Sequence, residues 1–496
     1  MRHARNIQDT ASKLFWLFAV VLAATFAHYP VGATGAKPSD KPSAAHPATP
    51  PKPVEIDLDH APEVALPEIG RDLKPYEFKT SDGKAGWVVR IPGARPIATP
   101  AYADGMVFVG GGYGGNAFYA FNASTGEMAW KFNTHDDGPT AAVVAEGKVA
   151  FNTESCTVYV LDEKTGKLVW QKWLGDPLMS QPAIDRGKLY MAYPATSGSR
   201  AGTHRLAAFE LNTGKKLWEQ DITGDVISAP VIAKDTVYVT CFDGTSFAMD
   251  SVSGKVLWSK RESATSAPAV ANGAVMVSRK VTKGKEVREG LIPMKAEDGK
   301  DNSSALLTED KAQYLTADNA GSALSTSAIT MLDSSVGFSA APPSAELQSA
   351  KENVGVKTVV GGWAYQGSRA AYQGGQWMNA QGRYVNAIGE SSGQANWRAE
   401  ARGKGVGDNL QVFSPPALGR EYMYLDSATG NIVAVRQKDG QVGFNYRFSQ
   451  PMVFQPALAE GNVYAGTSQG LLICLKTGGR DADGWYAWGG NAQHNK

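Results

Sequence analysis

What most constrains this chain is a turn that recurs. Gly126, Gly166, Gly214 and Gly254 are each followed four residues later by a tryptophan, at Trp130, Trp170, Trp218 and Trp258. The segments 120–130, 160–170, 208–218 and 248–258 around them align without gaps. Weaker copies pair Gly393 with Trp397 and Gly440 with Phe444, and an upstream copy pairs Gly83 with Trp87. Gly299 keeps the turn, behind Glu297 and Asp298, but has lost its tryptophan. That makes eight units, spaced 40 to 48 residues apart except for one long gap between Gly299 and Gly393. A period in this range, with four short strands to a unit, is that of a propeller blade. The expectation is an all-β chain, an eight-bladed β-propeller with an N-terminal signal peptide and one helical or loop insertion.

The fourth complete unit shows how the strands read. Residues 229–232 form the first strand and 236–240 the second, a hairpin turns at Asp243 and Gly244, 246–250 form the third strand, and 255–258 open the fourth. Aromatic and β-branched residues dominate, as a pleated, half-buried surface requires. The upstream copy carries a further expectation. The last unit, about 452–476, has no outer strand after its Thr477 and Gly478 turn, and the strand at 87–91 supplies it. That exchange closes the ring and hides two sheet edges.

The domain reading follows from what flanks the repeat. Arg2, Arg5 and Lys13 precede an apolar run at 14–27, and Ala27, Ala33 and Ala36 offer cleavage sites, the layout of a signal peptide over 1–36. The run is shorter than the roughly 20 residues a spanning helix needs. No cysteine lies near the cleavage region, so an exported protein without a lipid anchor is expected. Residues 37–75, rich in Pro, Ala and charge, read as an extended linker, and 76–496 as the propeller. Residues 301–362 read as an insertion on one face of the disc, with short helices at 324–332 and 345–353. With 43% hydrophobic residues the chain can bury a large core, and a net charge of +1 makes no case for nucleic acid or anionic lipid.

The repeated motif resembles the tryptophan-docking motif of the pyrroloquinoline quinone (PQQ) repeat family. The match runs through Val160, Asp162, Thr165, Gly166 and Trp170, and through Ala248, Asp250, Ser253, Gly254 and Trp258. The chain departs from the motif at Asn122 and Glu210, where the family has Asp, and the later units are degenerate. The glycine takes the positive φ of the turn, and the tryptophan packs between neighbouring blades, so both are structural. The resemblance implies one of two functions. Non-catalytic members such as BamB serve outer-membrane β-barrel assembly. PQQ-dependent dehydrogenases hold the quinone and Ca²⁺ at the centre of the ring, commonly with adjacent cysteines. Cys156, Cys241 and Cys474 are far apart in sequence, and no Ca²⁺ ligand set can be matched.

Candidate sites are few. Arg369 stands where other units have a small residue or Pro, and is the candidate channel contact for a ligand. Gly110, Gly112 and Gly115 spell a GxGxxG, but a strand rather than a helix follows, which makes it a hairpin. Cys156 replaces a turn glycine, which makes it either a reactive thiol or a tolerated turn residue; Cys241 and Cys474 read as buried fillers. His135, Asp136 and Asp137 form an inter-blade loop that either holds a cation or is simply solvated. Trp363, Trp377 and Trp485 leave room for a small-ligand or polysaccharide site, and the Trp-rich tail at 484–495 reads as a cap on the ring. No catalytic or metal residue is expected. The expected function is an exported, monomeric propeller that scaffolds an envelope protein partner, with peripheral membrane association possible on that reading and no cofactor. The alternative is a PQQ- and Ca²⁺-dependent quinoprotein dehydrogenase.

Overall fold

The computed structural model describes residues 51–302, 309–311, 353, 370–480 and 490–491. Within those ranges it omits 113, 137, 154, 156, 176–179, 195–203, 284–285, 408–411, 449 and 453. Every named element is a strand, and the strands fall into eight sheets. Blade 1 consists of Ala101–Ala103, Met106–Gly110, Ala117–Asn122 and Met128–Asn133, each antiparallel to the last. Blade 2 runs from Val143–Ala145 to Leu168–Trp173, blade 3 from Ala183–Asp185 to Lys216–Ile222, and blade 4 from Val231–Ala233 to Val256–Arg261. Blade 5 runs from Ala269–Ala271 to Glu309–Lys311, blade 6 from Ala370–Gln373 to Ala395–Arg402, and blade 7 from Ala417–Leu418 to Val442–Arg447. The short first strand of each blade touches that of the next, and that of blade 8, Ala457–Ala459, touches that of blade 1. The ring is therefore closed around these eight inner strands.

Blade 8 is closed by the exchange read from the sequence. Ala85–Arg90 lies antiparallel to Leu471–Lys476, with Trp87 opposite Cys474. One sheet thus joins residues from both parts of the chain, and no blade edge is left open at the seam.

The docking tryptophans explain both halves of the repeat. Trp87 donates its indole N–H to the Ala123 carbonyl of blade 1 at 3.1 Å, and its ring lies on Gly126. The same step recurs from Trp130 to Glu163, Trp170 to Leu211, Trp218 to Ser251, Trp258 to Ala296 and Trp397 to Gln437, at 2.7–3.2 Å. In each case a Cβ on the receiving glycine would sit 2.5–2.8 Å from the ring, and its φ is positive. The glycine therefore serves the tryptophan of the preceding blade, not its own. This accounts for Gly299, which keeps its place without a following tryptophan because it must receive Trp258.

The stretch 37–75, read as a linker, is corrected over its described part. Val54–Asp57 adds a fifth, parallel strand to blade 6 along Ala399–Arg402. The chain then crosses blade 7, where Asn445 and Asn431 donate to the Asp57 and Leu58 carbonyls and Glu63 bridges Arg447. It reaches blade 8, where Tyr76–Lys79 adds a fifth strand along Ala85–Arg90. Ile56, Leu58 and Val64 are buried under it. Residues 54–79 are thus a strap on the outer edges of blades 6, 7 and 8. The physical reason is the alternation of Val54, Ile56 and Leu58 with Glu55, Asp57 and Asp59, a half-buried strand pattern that the surrounding prolines masked.

Candidate functional site

The two faces of the disc differ in what the sequence puts there. One face carries the tight turns that hold the docking glycines. The other carries the hairpins between second and third strands and the connections between blades. Of the stretch 301–362 read as an insertion, Glu309–Lys311 instead forms the outer strand of blade 5. On that second face, Asn353 is buried, and its side-chain amide donates to the Phe242 carbonyl at 3.1 Å and the Ala264 carbonyl at 2.7 Å. Asn353 therefore sits on the loops of blade 4. The two expected helices lie outside the described residues apart from Asn353.

In three blades the entry into the inner strand is built by a hydroxyl. Ser414 accepts the Asp426 N–H at 3.0 Å, Ser266 that of Ser278 at 2.9 Å, and Thr140 that of Asn152 at 3.3 Å. In a propeller the next position stands where the inner strand begins, at one mouth of the ring's centre. The described residues there are Thr99 on blade 1, Ala141, Ala229 and Ala267 on blades 2, 4 and 5, Pro415 on blade 7, and the glutamines Gln181 and Gln455 on blades 3 and 8, all but Pro415 buried. Both glutamines are buried. Gln455 donates to the Pro416 carbonyl at 2.7 Å but leaves its amide oxygen unpaired, and Gln181 has neither amide atom paired within the protein. Such amides are met by ordered water or by a polar ligand. Arg369, the candidate channel contact, lies outside the described residues.

Asp426 is the most deeply buried acid among the described residues. It ends the second strand of blade 7, is fully buried, and neither carboxylate oxygen has a hydrogen-bond partner in the protein. Burial alone pushes its carboxyl well above the usual carboxylate range. Sequence reasoning passed over it, because a strand-ending Asp reads as an ordinary turn residue.

The other candidates resolve locally. The GxGxxG is a hairpin: Gly111 donates to the Ala117 carbonyl at 2.8 Å, and strands stand on both sides. Asp136 accepts from Thr153 at 2.5 Å and from Ser155, so its carboxylate is engaged inside the loop, while Asp137 lies outside the described residues. Among the described residues no three His, Cys, Asp or Glu side chains gather as metal ligands. Cys241 and Cys474 are buried free thiols in separate cores, and burial raises both, Cys474 to about 12. Cys156, Trp363, Trp485 and all but two residues of the tail lie outside the described residues. Trp377 is core, 1% exposed and packed on Tyr372 at 5.0 Å. Where the strap crosses to blade 8 there is a cleft of about 530 Å³, lined by Leu66, Ile69 and Leu471 with Glu68, Arg71 and Arg90. The Arg90 Nε donates to the Ile69 carbonyl.

A quinone site with Ca²⁺ needs several oxygen ligands, carboxylates prominent among them. The described mouth offers neutral side chains, and Asp426 lies two residues along from Tyr424, on the strand face that packs toward blade 8. These residues do not fit such a centre.

Eight closed blades locked by docking tryptophans define a propeller of the PQQ-repeat class. The sequence profile described as outer membrane protein assembly factor BamB matches residues 71–172, 154–328 and 344–488, and the chain belongs to that family. The BamB of Yersinia pestis is 29% identical over 160 residues, 29% of this chain and 38% of that protein. Quinoprotein ethanol dehydrogenase of Pseudomonas aeruginosa is 28% identical over 134 residues, 23% of this chain and 21% of that protein. The matches span about a third to three fifths of the length of the curated BamB relatives. The crystal structure of BamB from Moraxella catarrhalis aligns with a TM-score of 0.51 over 78% of this chain and 96% of that one, at 12% identity, a likeness of fold.

Proposed function

We infer that this protein is an exported, non-catalytic propeller that holds a protein partner in the cell envelope, with a part in outer-membrane protein assembly. The observation that supports it most is the channel mouth, where the described ring positions carry small and amide side chains in place of the charged ligands a quinone centre uses. Membership of the BamB family agrees. The mechanism is rigid display: loops fixed on a closed ring lose little entropy when they meet a partner. No cofactor is needed for that role, and the export signal is the one read at 1–36.

The test is co-purification. The tagged full-length protein is recovered from solubilised envelopes of its own cells. Stoichiometric recovery of the outer-membrane assembly machinery is expected. Recovery without any assembly component, together with dye-linked alcohol oxidation by the purified protein, would instead support the quinoprotein reading.

A further inference from the structure

The repeat provides its own controls for surface positions. In six blades a β-bulge places one extra residue immediately before the docking position of the outer strand. Blades 1, 6 and 7 put Ala129, Asn396 and Gly443 there, so the fold does not require bulk. Blades 2, 3 and 4 put Val169, Leu217 and Leu257 there, 37%, 45% and 52% exposed. The turn of blade 4 adds Val252, 64% exposed, at a position that is Ser124, Lys164, Asn212, Ser391 or Lys438 elsewhere. The residue after the turn glycine follows the same division. Blades 2, 3 and 4 have Lys167, Lys215 and Lys255, all exposed, where blades 1, 6 and 7 have Glu127, Gln394 and Gln441. Among the described residues none of these three lysines is ion-paired, and no strand pairs with the outer strands of blades 2 to 4.

Three adjacent blades thus present an aliphatic side chain beside a lysine at one repeated place. Exposed apolar groups clustered in this way mark contact surfaces. The opposite arc of the ring shows what kind of contact such a rim accepts. There the strap lays Ile56, Leu58 and Val64 against the outer edges of blades 6 and 7 and turns Glu55, Asp57 and Glu63 to solvent. A convex rim is followed closely by an extended chain, whereas a flat bilayer touches little of it.

We propose that the outer rim of blades 2 to 4 binds an extended, acidic and aliphatic segment of a partner protein. Its aliphatic side chains pack on Val169, Leu217, Val252 and Leu257, and its carboxylates meet Lys167, Lys215 and Lys255. This rests on the scaffold reading and gives that scaffold a docking surface and a partner chemistry.

The probe is a fluorescent peptide with the sequence of residues 54–69, whose composition is of this kind, titrated by anisotropy against the full-length protein. A second peptide has lysine at each acid. Two triple variants serve as controls: Val169→Asn, Leu217→Asn and Leu257→Asn together, and Lys167→Gln, Lys215→Gln and Lys255→Gln together. They copy residues that blades 6 and 7 already carry, and far-ultraviolet circular dichroism verifies their folding. The expected result is binding of the acidic peptide only, weakened about tenfold or more by either triple variant. Equal binding of both peptides, no binding, or binding unchanged in both variants overturns the proposal. So does rim-dependent sedimentation with phosphatidylglycerol vesicles, which would make the occupant a membrane. The assembly machinery co-purifying with both triple variants while the peptide fails would sink this inference and leave the scaffold reading standing.

Discussion

At the scale of single residues, three side chains carry most of what can be tested. Trp87 is 1% exposed and fastens the closing strand of blade 8 to blade 1. Trp87→Ala removes a buried indole and its hydrogen bond at the closure, and a loss of about 3–5 kcal/mol is expected in denaturant melts. The seam from blade 7 to blade 8 is held differently. Phe444 stands in the tryptophan's place, and Lys84, Asp82 and Tyr446 join around it, with Lys84 2.9 Å from the Tyr446 hydroxyl. Because that clasp is partly solvated, Lys84→Met is expected to cost no more than about 1 kcal/mol. Asp426 gives a pH dependence with a definite sign. Burial raises its folded carboxyl above the unfolded value, so the folded protein holds the proton more tightly. That contribution is fully present below the ordinary carboxylate pKa of about 3.9 and is lost as pH rises toward the folded value. Asp426→Asn should therefore raise the melting temperature at pH 7 and leave it unchanged near pH 4. An equal shift at both values would remove the protonated-acid account.

At the scale of elements, the strap and the blades were unequally legible. The second and third strands of blade 4 were readable almost to the residue, because β-branched alternation between turn signals is a local pattern. The closing strand was readable because an outer strand was missing from one end of the repeat and present at the other. The strap was not, since its only signal is one short alternating run among prolines, and the partners of that run lie more than 300 residues away. The rim of blades 2 to 4 was equally hidden. Val169, Leu217 and Leu257 look like ordinary strand residues until the bulge register turns them outward. Arg369 differs from the small residues or Pro at equivalent positions, and the described equivalents are neutral. The strap's energetic role is checkable. Ile56→Ala, at a fully buried position, should cost about 2–5 kcal/mol locally. Hydrogen exchange should then rise over residues 54–79 while the ring strands stay protected; uniform loss of protection would mean that the strap is integral to the ring.

At the scale of the whole molecule, one ring is built with two kinds of rim. Among the described residues six tryptophan docks bind the blades; of the two seams without one, that from blade 5 to 6 borders the arc the strap covers and that from blade 7 to 8 lies beneath it. Among the described residues no strand covers the outer strands of blades 2 to 4. A closed ring of this kind can display loops rigidly to a partner, and the described positions at the channel mouth are neutral. The most direct test is a calorimetric titration of the mature protein with PQQ in millimolar Ca²⁺, read together with the quinone absorbance. The account predicts no uptake. Tight, stoichiometric uptake would contradict it and make the protein a quinoprotein.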